Sequence, residues 1–209
     1  MEKAGSGSAA RTWLDTWRDG KWLNPPPGVR ENGSELLVTA EQGSDFWRTT
    51  SYDFVHDSGH AWLLPLPEAT AVEVRFVLDY QAQFDQAGVL VRGDEETWTK
   101  AGVEISDGVP QLGAVVTRQV SDWSVAPVPE WGGREVTVRA SRAGNALTVR
   151  ARVADEPWRL VRVAPLTPGQ PLAAGPYCCA PTRPGLEVTF RGAVLTAADS
   201  SLHPDDRST

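Results

Sequence analysis

Trp98, Lys100 and Glu104 occupy alternating positions in the stretch DQAGVLVRGDEETWTKAGVE, residues 85–104. A strand sends alternate side chains to one face, so an aromatic ring, an ammonium and a carboxylate would share a sheet surface. The interleaved set Thr99, Ala101, Val103 and Ile105 is small or apolar and reads as the core side. The preceding segment divides the same way, with Ala87, Val89 and Val91 inward and Gln86, Gly88, Leu90 and Arg92 on the other face. Joined as a hairpin across 93–97, the two strands gather Gln86, Arg92, Trp98, Lys100 and Glu104 on one surface. Aromatic faces beside hydrogen-bonding groups are the composition of a groove for a sugar or another small polar molecule. The competing reading is a lysine–glutamate pair that only solvates the sheet, with Trp98 covered by a loop.

If a reaction takes place on this face, Glu104 is the candidate acid or base, with Lys100 lowering its pKa by charge attraction. Retaining glycosidases need two carboxylates about 5–5.5 Å apart. The alternating set supplies one. The chain has no GxSxG, P-loop or Rossmann glycine signature in a strand-to-helix context. These residues favour binding over catalysis, and beyond Glu104 no catalytic group suggests itself.

Two further stretches add aromatic rings. In TRQVSDWS, 117–124, Asp122 and Ser124 suit an Asx-type turn pinned by Trp123. The alternative is a loop at the groove's rim with Trp123 as a stacking surface. The stretch 43–62, GSDFWRTTSYDFVHDSGHAW, mixes Asp45, Trp47, Arg48, His56, Asp57 and His60, and Trp47 joins the candidate ligand-binding set. A spacing of four between His56 and His60 suits a helix face, but the Asp, Ser and Gly around them imply a loop. No metal site and no cofactor is expected, and the histidines read as surface residues.

The elements that would position these groups are strands. Alternation or short apolar runs mark 34–39, 60–64, 71–80, 87–92, 97–105, 111–117, 135–141, 146–153, 159–164 and 186–197, about a dozen strands in all once less clear segments are added. Residues 71–80, AVEVRFVLDY, are the clearest, with Val72, Val74, Phe76, Leu78 and Tyr80 on one face. Gly144-Asn145 suggests a tight hairpin, and a short helical piece fits near 12–18. A dozen antiparallel strands must close into a barrel or a two-sheet sandwich, because one open sheet would leave both faces wet.

Bulk properties agree with one β-sandwich domain over 1–209, with a core at about 13–197 and flexible ends at 1–10 and 199–209. The 209 residues are 41% apolar, enough for a substantial core. A net charge of −7 disfavours nucleic acid, whose binding relies on clustered Lys and Arg. The start has no apolar signal region, and no stretch approaches the roughly 18 apolar residues of a membrane span. A soluble, cytoplasmic protein with two reduced thiols is expected, because Cys178 and Cys179 are adjacent and poorly placed to pair.

The order of segments carries a resemblance. KWLNPP at 21–26, DFWRTT at 45–50, YQAQFDQAGVLVR at 80–92, WTKAGVE at 98–104, VVTRQVSDWS at 115–124, LVRVAPL at 160–166, GPYCCAP at 175–181 and VTF at 188–190 resemble a family of unknown function similar to a yeast regulator of enolase. Gln86, Trp98, Lys100, Glu104, Asp122 and Trp123 stand where that family's motifs have them. The resemblance implies a concanavalin A-like jelly roll of two curved antiparallel sheets. Similar folds in lectins and glucanases use the concave sheet for carbohydrate, but this chain lacks the glucanases' paired carboxylates. It therefore implies a noncatalytic module for a small polar ligand, carbohydrate first, ahead of an enzyme on a sugar or sugar phosphate. The family's name also leaves room for a protein partner in regulating metabolism.

Overall fold

The computed structural model describes residues 12–13, 17 and 19–203. Its strands are β1 (Thr12–Trp13), β2 (Lys21–Leu23), β3 (Gly28–Asn32), β4 (Glu35–Ala40), β5 (Phe46–Arg48), β6 (Val55–Asp57), β7 (His60–Pro65), β8 (Thr70–Val77) and β9 (Gln86–Arg92). They continue as β10 (Thr97–Ser106), β11 (Val109–Arg118), β12 (Val120–Pro127), β13 (Glu135–Ala143), β14 (Ala146–Val153), β15 (Arg159–Pro165), β16 (Ala173–Cys179) and β17 (Leu186–Ala197). A 3-10 turn at Pro129–Trp131 is the helical element among the described residues. The expected helical piece is not seen where it can be checked. Thr12–Trp13 pairs with β17, while 14–16 and 18 lie outside the described residues.

Two large antiparallel sheets form. One runs β15-β14-β13-β8-β17-β4-β3, with β1 also on β17, and the other runs β12-β11-β10-β9-β16-β7-β2. The alternation read in 71–80 explains the first: Val72, Val74 and Phe76 of β8 are fully buried, and Val74 pairs with Val138 on one side and Ala193 on the other. From the second sheet Ala87, Val89, Val91, Ala101, Val103 and Ile105 meet them in the inter-sheet core. Both hairpins expected from sequence form, across 93–97 and at Gly144-Asn145, where Gly144 takes a φ of +57°. The fold is the concanavalin A-like jelly roll, all-β with two curved antiparallel sheets.

Strands β12 and β16 depart from the sequence reading. TRQVSDWS is neither an Asx turn nor a loop: the chain reverses at Gln119, with φ +65°, and 120–127 returns as edge strand β12, Trp123 opposite Val115. In β16, Pro176 sits inside a sheet, where a missing N–H normally excludes it. It is accommodated because pairing with β7 lapses between Ala174 and Tyr177. Strand alternation also separates the two cysteines, both buried free thiols, with Cys178 in the inter-sheet core and Cys179 in a smaller cluster on the outer face. Of the expected loose ends, 1–10 and 204–209 lie outside the described residues. The segment 199–203 is anchored, Asp199 accepting from Arg139 Nε at 2.8 Å and its N–H donating to Ser141 at 2.8 Å.

Candidate functional site

Register across the seven-stranded sheet builds the site on its outer face. Lys100 lies between Leu90 and Val115, Gly102 between Gly88 and Gly113, and Glu104 between Gln86 and Gln111. The three glycines leave a side-chain-free row. They are also required sterically, since a Cβ on Gly102 would stand 2.1 Å from the Ala87 carbonyl oxygen. Across that row the Lys100 ammonium donates to Gln86 Oε1 at 2.7 Å.

Above this floor lies a third, two-stranded sheet, β5 with β6, in the segment that sequence reads as a loop. It is pinned to the large sheet. Arg92 grips Asp57 with both terminal nitrogens at 2.6 and 2.8 Å, and the Arg48 N–H donates to Ser121 at 3.0 Å while its guanidinium reaches Glu96 at 2.8 Å. Phe46 is driven into a second apolar cluster with Trp98, Tyr177, Leu90 and Cys179, its ring 5.9 Å from that of Trp98. Just before Phe46, Asp45 points down to the floor and accepts from Lys100 at 2.8 Å.

Between hairpin and sheet is a cavity of about 320 Å³. Asp45, Gln86, Lys100 and Glu104 form its polar floor, and Trp47, Tyr52, Phe54 and Trp123 wall it, with His56, Phe84 and Pro181 completing the rim. Trp47 and Trp123 meet edge to face at 6.3 Å and 88°, and Tyr52 and Phe54 stack at 5.3 Å. Exposed apolar residues that cluster, unlike single ones, mark binding surfaces. Tyr52 is 54% exposed, Phe54 40% and Trp123 38%, all at this mouth.

Electrostatics distinguish the two charged floor groups. Burial works against the Lys100 charge, but attraction from Asp45 foremost more than offsets it, so its pKa is raised and the ammonium persists. For Glu104 burial is the largest effect and lifts the pKa to about 7; Lys100 pulls it down and Asp45 pushes it up. The expected lowering by Lys100 is thus present but outweighed. Glu104 exchanges its proton near neutrality, and no described residue hydrogen-bonds its carboxylate.

Five sequence candidates, Trp47, Gln86, Lys100, Glu104 and Trp123, converge on the cavity. Three do not. Trp98 is 3% exposed and lies beneath Phe46, so its face cannot stack on a ligand. Arg92 is committed to Asp57, and Asp122 pairs with Arg162 across the sandwich edge. Asp45, Tyr52, Phe54 and Phe84 were missed as site residues, the first three because they belong to a hairpin read as a loop. His60 is buried rather than a surface residue, accepting from the Glu41 N–H at 3.0 Å and contacting the Asn24 carbonyl at 2.7 Å. Among the described residues no group of His, Cys, Asp and Glu could hold a metal.

Residues 22–198, which include every residue of the cavity, match the family described as "Protein of unknown function (DUF1349)". The chain belongs to this family. Regulation of enolase protein 1 of Saccharomyces cerevisiae is similar, 38% identical over 180 residues that cover 85% of this chain and 89% of the relative. A crystal structure of a functionally unknown protein from S. cerevisiae superposes with a TM-score of 0.83 at 36% identity, covering 88% of this chain and 99% of that one. A xylan beta-1,4-xylosidase from Bacillus halodurans C-125 shares the fold alone, with TM-score 0.63 and 12% identity over 94% of this chain and 40% of the enzyme. No helix among the described residues is long and apolar enough to cross a membrane.

Proposed function

We propose that this DUF1349 member is a noncatalytic, cytoplasmic binding protein for a carbohydrate or similar polar metabolite, held in the cavity between the β5–β6 hairpin and the seven-stranded sheet. The observation that carries this reading is an aromatic-walled cavity with a preorganised polar floor: Lys100 and Gln86 are fixed by bonds of 2.7–2.8 Å, while Glu104 has no hydrogen-bond partner among the described residues. Rings give a sugar ring apolar faces to stack on, and Glu104 gives its hydroxyls a group that donates when protonated and accepts when ionised. The xylosidase likeness supports sugar by analogy of fold. A glycan and metabolite array tests the reading, with saturable binding of a sugar or polyol expected.

One observation favours a second reading, an enzyme acting on a sugar or sugar phosphate. Asp45 supplies the second carboxylate that the strand pattern lacked, ion-paired to Lys100, beside a Glu104 that holds a proton near neutrality. Hydrolysis of chromogenic glycosides, abolished by Glu104→Gln, would establish it. The yeast relative's name supports a third role, a protein partner that reads cavity occupancy, which affinity capture with and without a bound sugar would test.

A further inference from the structure

The cavity floor is unbalanced in charge. Lys100 directs two of its three ammonium donors to Asp45 and Gln86, at 2.8 and 2.7 Å. Asp45 is therefore hydrogen-bonded by the ammonium, whereas no described residue hydrogen-bonds the Glu104 carboxylate, which Lys100 attracts only through space. Counting Lys100 as +1, Asp45 and Glu104 as −1 each and His56 as uncharged, the lining residues sum to −1. The nearby arginines do not correct this, because Arg48 is held by Glu96 and Gln119, and Arg92 by Asp57.

The walls act in the same direction. Trp47 and Trp123 meet at 88°, Tyr52 stands 5.8 Å from Trp47 at 70°, and all three rings line the cavity. Aromatic faces carry the negative side of the ring quadrupole and attract a cation within about 6 Å of the centroid. A neutral sugar would use these faces for stacking but would bring no counter-charge to Glu104. An organic ammonium uses both features at once.

We propose that the ligand of this cavity carries a protonated amine on a small polar skeleton, its ammonium seated in the Trp47–Trp123 corner and paired with the Glu104 carboxylate. This rests on the small-molecule binding reading above and adds the ligand's charge to it. It also assigns separate tasks to the two ends of the floor, with Glu104 receiving the cation and Lys100 offering its third donor to a hydroxyl or carbonyl oxygen.

The test is calorimetric titration of the full chain with two compounds on one polyol skeleton, N-methyl-D-glucamine and D-glucitol. They differ in a methylammonium against a hydroxyl. A working pH of 8 lies above the value of about 7 to which burial lifts Glu104, so the carboxylate is ionised. The expected result is at least about tenfold tighter binding of the amine, falling to less than about threefold in Glu104→Gln. A thermal melt confirms that the variant is folded. Equal affinity for the two compounds, or a preference that survives Glu104→Gln, overturns the inference. So does absence of amine binding while neutral sugars bind, which leaves the broader reading standing. Absence of binding by both compounds and by every neutral sugar of the array overturns both.

Discussion

The Lys100 ammonium lies 2.8 Å from the carboxylate of Asp45, a residue 55 positions earlier in the chain, and this pair fastens the β5–β6 hairpin to the sheet beneath it. Their side chains are 4% and 19% exposed, so neither charge can be rehydrated cheaply if the other is removed. Lys100→Met should cost roughly 3–5 kcal/mol in chemical denaturation, because it strands Asp45 at a mostly buried position. Adding Asp45→Asn to Lys100→Met should recover part of that loss. A single variant as stable as the wild type would mean that the pair is not holding the hairpin.

Trp98 and Trp123 separate stability from binding. Both rings lie on the outer face of the seven-stranded sheet, but Trp98 lies under Phe46 whereas Trp123 is 38% exposed at the cavity mouth. Trp98→Ala should therefore destabilise by roughly 3–5 kcal/mol, the cost of truncating a core aromatic. Trp123→Ala should cost about 1 kcal/mol or less. Urea titrations of the two variants compare them directly, and the reverse order would contradict this placement.

Glu104 should make stability depend on pH with a definite sign. Its pKa rises from 4.5 to about 7 on folding, so the folded state holds the proton more tightly than the unfolded one. The folded state is then favoured at low pH, and that advantage is lost as pH rises from about 4.5 through 7. Charged and titratable groups facing it are Lys100 on its own strand, Asp45 before β5, and Tyr177 and Cys179 on β16, the last two with pKa values raised by burial. The stability difference between Glu104→Gln and the wild type should be small near pH 4.5. It should grow by roughly 1–3 kcal/mol in the variant's favour at pH 8. A difference independent of pH would show that the carboxylate is well solvated.

Gly102 should tolerate no side chain. The Cβ of Gly102→Ala would lie 2.1 Å from the Ala87 carbonyl oxygen and 2.7 Å from Gly88 Cα, both backbone atoms that cannot rotate away. Loss of roughly 1–3 kcal/mol is expected. Gly108, in a turn at φ +80° with nothing within 4 Å of an added Cβ, provides the contrast: Gly108→Asn should be milder, since Asn accepts left-handed backbone. Thermal melts of the two variants check the order.

The sandwich was legible because alternation is a local signal: β8, β9 and β10 each declare their buried parity within a few residues. What covers the opposite parity is not local. Trp98 reads as a stacking surface until the β5–β6 hairpin is seen to carry Phe46 onto it, and that hairpin was obscured by its Asp, Ser and Gly content. Asp45 was invisible as a floor residue for the same reason, since its partner lies on another strand. β12 was lost because Asp122 and Ser124 are turn formers by type, although on an edge strand they can pair with Arg162 instead. β16 was lost because Gly175 and Pro176 break the pattern where pairing with β7 lapses.

The central claim is that the cavity between hairpin and sheet binds a small polar ligand. Its most direct test is calorimetric titration of the tightest array binder into the wild type and into Trp123→Ala, the wall residue whose removal should leave the fold intact. Saturable one-to-one binding to the wild type is expected, with a loss of about tenfold or more in the variant, or roughly 1–3 kcal/mol, and a thermal melt that shows the variant folded. Equal affinity for both proteins would place the ligand elsewhere, and an array without a binder would contradict the claim itself.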